Sequence, residues 1–211
     1  MKRARPIRIM IAEDHLIARR GLGAIINAQP DMKVVAEATN GKEAIALYRE
    51  HEPDVTLIDM RMPAVTGFDA VAAIRAEFPN AHFVAISTFG GDEDIRHALA
   101  AGAQSFLTKD TPNDDLIHAI RAVYSGQKYL PASVASALTE NSARPSLTAR
   151  EIEVLRLIVQ GLSNKEIAYA VGIANYTVYN HVKSILEKLG VADRTQAATA
   201  AIMRGIVHLH H

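Results

Sequence analysis

Cysteine is absent from the 211-residue chain, which excludes disulfides and thiolate-bound metals. No apolar run approaches the roughly 18 residues that a membrane span requires. Nothing at the N-terminus has the shape of a signal peptide. Lys2, Arg3 and Arg5 precede a short strand-like run that soon meets Glu13 and Asp14. These absences lead to the expectation of a soluble, cytoplasmic protein with no membrane partner. Charge of one sign is also lacking. The formal net charge is zero, which argues against a wholly basic nucleic-acid coat. The halves differ slightly: residues 1–127 hold 14 Lys/Arg and 17 Asp/Glu, and residues 146–211 hold 7 and 5.

What is present is 49% apolar residues, enough for real cores, in a length that suits two small domains. Strand-like runs fall at Ile7–Ala12, Lys33–Ala38, Val55–Asp59, His82–Ser87 and Gln104–Thr108. Helical patterns follow them at His15–Ala28, Gly41–Glu52, Gly67–Phe78, Glu93–Ala101 and Asn113–Ser125. Five strand–helix alternations predict an α/β, flavodoxin-like doubly wound fold: a five-stranded parallel sheet in the order 2-1-3-4-5.

In such a sheet, ligands bind beyond the carboxyl ends of the strands, near the point where strand order reverses. The first strand ends in Glu13 and Asp14, the third in Asp59, the fourth in Ser87 and Thr88, and the fifth in Lys109. Any one of these has a plain reading as a helix cap or a solvated end. Together they place three acids, a hydroxyl and a lysine on one rim. Three close carboxylates raise one another's pKa unless a cation joins them, and oxygen-only ligands suit Mg²⁺. Glu13, Asp14 and Asp59 are the expected metal ligands, with the Arg61 backbone carbonyl as a fourth. A carboxylate can also attack phosphorus, making Asp59 a candidate phosphoacceptor. Lys109 would then steady the incoming phosphoryl group, and Ser87 would donate a hydrogen bond to it.

Glu13-Asp14, Asp59 with Met62-Pro63 and Gly67, Ser87, Gly102-Ala103, and Phe106 with Lys109 carry a resemblance. Over residues 7–126 the chain resembles the receiver domain of two-component response regulators. The resemblance implies that Asp59 takes phosphate from a histidine kinase's phosphohistidine. It also implies that Ser87 and Phe106 switch together, the ring swinging inward as the hydroxyl moves toward phosphate. The acidic pair departs mildly from the family, being Glu-Asp where many receivers have two aspartates. These expectations give a receiver domain over 1–127.

A linker with a short helix near Val134–Leu138 is expected over 128–146, the stretch Glu140–Ser146 having linker composition. Residues 147–211 then form an all-α domain. Thr148-Ala149-Arg150-Glu151 and Ser163-Asn164-Lys165-Glu166 are capping boxes that open two helices. A third helix runs from Asn175 to Leu189, and Asp193 opens a fourth that reaches Arg204. A short helix, a turn at Gly172 and a longer helix match a helix-turn-helix, although a plain four-helix bundle shows the same caps.

Leu147–Leu155, Gly161–Ala168, Thr177-Val178, His181-Val182 and Lys188–Val191 resemble the LuxR-type DNA-binding domain. With the receiver, the whole is similar to NarL/FixJ-type response regulators. That similarity implies a phosphorylation-dependent DNA-binding transcriptional regulator, with a histidine kinase, double-stranded DNA and a second copy of the chain as partners. Dimerisation would use the receiver face, the helix over 193–204, or both. Ala197, Ala198, Ala201 and Ile202 on that helix are equally compatible with core packing. Candidate DNA contacts are Lys165, Tyr176, Thr177, Tyr179, Asn180 and Lys183, the lysines to phosphate and Asn180 to an adenine edge. Departures from the family gather on the third helix. Ala174 replaces a serine cap, leaving Asn175 as the expected cap, and Tyr179 replaces a lysine. Tyr176 and Tyr179 lie on one face of this helix, and either meet DNA or pack elsewhere. Two other readings stand beside this one. One is a phospho-switch acting through protein contacts, with DNA reading weakened. The other is a phosphohydrolase, disfavoured because Met60 and Arg61, not an acid, follow Asp59. The terminal His208, His210 and His211 suggest a chain end or an expression remnant more than a metal site.

Overall fold

The computed structural model describes residues 5–140 and 145–208. Lys2, Arg3, His210, His211 and residues 141–144 of the expected linker lie outside the described residues. Contacts divide the chain into two units, Met1–Thr88 with Ile95–Ala135, and Phe89–Asp94 with Ser136–His211. No helix among the described residues is long and apolar enough to cross a membrane.

The first unit is built on five strands: β1 (Ile7–Ala12), β2 (Met32–Ala38), β3 (Val55–Asp59), β4 (Phe83–Ser87) and β5 (Ser105–Thr108). They pair in parallel in the order β2-β1-β3-β4-β5. Helices α1 (Leu16–Asn27), α2 (Gly41–His51), α3 (Gly67–Glu77), α4 (Asp92–Ala101) and α5 (Asn113–Tyr124) alternate with them, and α6 (Ala132–Glu140) follows. The central strands read as unbroken apolar runs because helices cover both faces of the sheet. Every residue of β3 and β4 is buried. On one face Ile9, Ile11, Leu57, Val84, Ile86 and Leu107 pack with Ile26 of α1 and Leu116, Ile120 and Val123 of α5. Toward the other, Tyr48 of α2 stacks on Phe83 with ring centroids 6.1 Å apart.

Asn40 and Thr66 cap α2 and α3, each accepting from the amide three residues on. The sequence bounds are met to within about one residue at most ends. The short helix expected near Val134–Leu138 is longer, and Tyr129 adds an isolated parallel bridge to Ser105 beside β5. Gln104 lies just before β5, where its side chain accepts from the Phe83 amide and donates to the Ala81 carbonyl.

The second unit contains α7 (Ala149–Val159), α8 (Asn164–Val171), α9 (Asn175–Leu189) and α10 (Arg194–Met203). Both expected capping boxes form, at Thr148/Glu151 and Ser163/Glu166, and Asp193 caps α10. Gly172 ends α8 at φ +68°, a left-handed conformation that glycine adopts without strain. The expectation that Asn175 caps α9 is corrected. Ala174 holds the cap position with extended backbone, no side chain caps the helix, and Asn175 is its first residue. Val154, Leu155, Ile158, Ile167, Val178, Ile185 and Leu189 form the core. Ala197 and Ala201 are fully buried within it, which settles core packing for those two, while Ala198 and Ile202 stay partly exposed.

Candidate functional site

Strand register assembles the rim. Ala12 lies beside Ile58, so Glu13, one residue past β1, comes level with Asp59 at the end of β3. Ser87 ends β4 opposite Thr108, and the next amide, that of Lys109, donates to the Ser87 carbonyl at 2.9 Å. The order reversal between β1 and β3 thus brings residues some fifty and a hundred positions apart into one pocket.

Lys109 is the hub. Its Nζ lies 2.7 Å from Asp59 Oδ2 and 2.7 Å from Glu13 Oε2, and donates to Glu13 Oε1 at 2.9 Å. Glu13 and Asp59 are almost wholly buried, at 1% and 3% exposure, so these are charges removed from water and compensated locally. Burial pushes the Glu13 carboxyl above its ordinary pKa, as does the Asp59 charge, against the lowering effect of Lys109. Burial alone would lower the Lys109 ammonium, but its hydrogen bonds to Asp59 and Glu13 raise it overall. Asp59 Oδ1 accepts the Arg61 amide at 2.9 Å, which orients the carboxylate. Gly67 makes the tight return after β3 possible. A Cβ there would sit 2.1 Å from the Asp59 carbonyl oxygen and 2.7 Å from the Met60 Cα.

Asp14 is more open, and its neighbour His15 turns back on the pair. His15 Nδ1 lies 2.9 Å from Asp14 Oδ1 and 3.1 Å from Glu13 Oε1. Glu13, Asp14, His15 and Asp59 each offer a ligand atom, all within 4.8 Å of one another. This donor set, three carboxylates and an imidazole, fits a divalent cation. Sequence reasoning named the three acids and passed over His15, whose place after the acidic pair was the available signal. Ser87 is fully buried and its hydroxyl has no hydrogen-bond partner among the described residues. Phe106 is also fully buried, so the ring is already inside the protein.

In the second unit, α9 presents Tyr176, Tyr179, Asn180 and Lys183 to solvent, with Thr177 half-buried. The tyrosines are 74% and 58% exposed, so neither packs within the core of its unit. Lys165 on α8 is exposed too, and so is Tyr169, at 92%, which sequence reasoning did not single out. Beneath this surface Glu151 joins α7 to α9, accepting from Ser184 Oγ and Lys188 Nζ, each at 2.7 Å. Burial alone would raise its pKa, but bonds from Lys188, Ser184 and Thr148 outweigh this and lower it to about 2.

Comparison with known proteins agrees with this geometry. The family described as "Response regulator receiver domain" matches residues 9–121, and "Bacterial regulatory proteins, luxR family" matches 145–201. The transcriptional regulatory protein LiaR of Bacillus subtilis is 37% identical over 210 residues, covering 96% of this chain and all of LiaR. YxjL of the same organism, an uncharacterized transcriptional regulatory protein, is 37% identical over 212 residues, 95% of this chain and 97% of its own length. The crystal structure of ChrA, the response regulator of a heme-sensing two-component system, is 35% identical and superposes with a TM-score of 0.59, covering 97% of this chain and all of ChrA. The chain belongs to the response regulators of two-component systems, with a receiver domain followed by a LuxR-type DNA-binding domain.

Proposed function

We propose that the chain is a transcriptional regulator switched by phosphorylation of Asp59, and that a histidine kinase supplies the phosphoryl group. The observation that carries this reading is the Lys109 ammonium held between two buried carboxylates at the carboxyl rim of the sheet. An Asp59 oxygen attacks phosphorus, the phosphorus–nitrogen bond of the kinase phosphohistidine breaks, and the freed imidazole takes up a proton. Lys109 faces the transferring group with a fixed positive charge. The Ser87 hydroxyl, unbonded among the described residues, donates to the new anion, and the Phe106 ring fills the space that the hydroxyl leaves. Glu13, Asp14, Asp59 and the Arg61 carbonyl would hold Mg²⁺, which supplies charge neutralisation on the phosphoryl oxygens. Residues 1–127 act as receiver, 128–146 as linker and 147–211 as the DNA-binding domain, in the cytoplasm.

For DNA, α9 enters the major groove and Tyr176, Thr177, Tyr179 and Asn180 face base edges, while Lys165 and Lys183 meet phosphates. The exposure of both tyrosines supports this assignment. Two copies pair through the receiver face, the helix over 193–204, or both, and read half-sites about one helical turn apart. A second reading is favoured by Tyr179 standing where a lysine is usual: the phospho-switch acts through a protein contact and DNA reading is weakened. Retarded migration of duplex DNA that survives excess competitor DNA eliminates that reading. The central test is acetyl phosphate labelling with Mg²⁺. The parent takes up one acid-stable, hydroxylamine-labile phosphate and Asp59→Asn takes up none; equal labelling refutes the assignment.

A further inference from the structure

His15 occupies the cap position of α1, yet its side chain makes no capping bond and the backbone there is extended, at φ −77° and ψ 113°. The ring instead turns toward the acidic pair, with Nδ1 within 3.1 Å of both carboxylates. Its own amide donates to Glu13 Oε1 at 3.0 Å, fixing the backbone from which the ring projects. We propose that His15 is a nitrogen ligand in the metal site, so that this receiver holds Mn²⁺ in preference to Mg²⁺ by more than an all-oxygen pocket would. The inference rests on the reading of Glu13, Asp14 and Asp59 as metal ligands.

Geometry and chemistry both support the assignment. Opposite ligands on an octahedral ion at about 2.1 Å lie about 4.2 Å apart. His15 Nδ1 stands 2.9 Å from Asp14 Oδ1 and 3.1 Å from Glu13 Oε1, near the separation of about 3.0 Å between adjacent ligands on such an ion, and closing all four candidate atoms on it is an adjustment of side chains. The His15 side chain is 71% exposed, so its ring can make that adjustment without repacking the core. Glu13 Oε2 is buried and stands 2.7 Å from the Lys109 ammonium, the cation that answers it in this structure. Mg²⁺ prefers oxygen and gives up its waters reluctantly, whereas imidazole suits the transition metals and leaves Mg²⁺ comparatively unrewarded. The competing role for His15 is a surface imidazole that only hydrogen-bonds the two acids, and it predicts no nitrogen on the metal.

The experiment uses the full-length protein and its His15→Gln and His15→Asp variants. Electron spin-echo spectroscopy of bound Mn²⁺ reads ligand nitrogen directly, and Mn²⁺ titrations with and without competing Mg²⁺ give the two Kd values. We expect ¹⁴N modulation in the parent and none in either variant. In His15→Gln the preference for Mn²⁺ over Mg²⁺ should fall about tenfold, and His15→Asp should restore binding strength without the nitrogen signal. The chain has nine histidines, so the variants decide which one is seen. Modulation that survives in His15→Gln, or an unchanged metal preference, overturns the inference while leaving the metal reading intact. Failure of the parent to bind either ion, or equal binding after Glu13→Gln with Asp59→Asn, overturns the underlying reading itself.

Discussion

At the scale of single residues, buried charge is concentrated where it is answered. Glu151 is the clearest case outside the Asp59 pocket, a carboxylate at 4% exposure that receives bonds from Ser184 and Lys188 of α9 and from the Thr148 amide just before α7. Its folded pKa, about 2, lies below the ordinary 4.5. A depressed carboxylate stabilises the folded form above its unfolded pKa, and the contribution fades as pH falls from about 4.5 toward about 2. Glu151→Gln keeps the shape but loses the charge, leaving the Lys188 ammonium half-buried and unanswered. The expected cost is about 2–3 kcal/mol at neutral pH. Urea unfolding followed by helical circular dichroism should show that cost shrinking below pH 4, where the parent loses the same interaction. A cost that is constant with pH would show that charge is not the cause.

At the scale of elements, glycine separates positions where backbone packs on backbone from positions that are merely small. Gly67→Ala drives a methyl into the Asp59 carbonyl and the Met60 backbone, so it should cost about 2–4 kcal/mol and abolish phosphate uptake with it. Gly21, mid-helix in α1 with nothing within 4 Å of a built Cβ, should behave oppositely. Gly21→Ala should raise the unfolding free energy by about 0.5–1 kcal/mol. On α9, Tyr179→Lys places a cation on an exposed face. It should steepen the dependence of log affinity on log salt by about one unit, measured by fluorescence anisotropy with duplex DNA from low to moderate salt. Much at this scale was legible in the sequence. Parallel strands covered on both faces announce themselves as apolar runs, and a hydroxyl followed three residues later by glutamate marks a helix start. Other features were not. Ala197 and Ala201 show a helical spacing but not which surface receives them. The partner of Glu151 lies 37 residues away on another helix, where no local pattern points. Asn175 looked like a cap by residue type, but it is already helical, Ala174 being the last extended residue.

At the scale of the whole molecule, a neutral chain divides its charge, with the small positive excess over residues 146–211 where DNA is to be met. Long-range attraction to DNA is therefore modest, and under the proposed function any coupling between receiver and DNA would come from a change of state. Acetyl phosphate should raise affinity for DNA with two half-sites about tenfold, within the usual range of coupling energies, and leave a single half-site nearly unchanged. Asp59→Asn should abolish the increase; an equal gain in that variant would place the acyl phosphate effect elsewhere. One rung of the sheet bears on how such a signal starts. The carbonyl of Ser87 and the amide of Lys109 are bonded to each other, while the Lys109 ammonium holds Asp59 and the Ser87 hydroxyl is buried and unbonded among the described residues. A tug by an arriving anion on the hydroxyl is therefore also a tug on the strand that holds the lysine. The two strand ends are yoked through main chain, so a displacement of one is carried to the other.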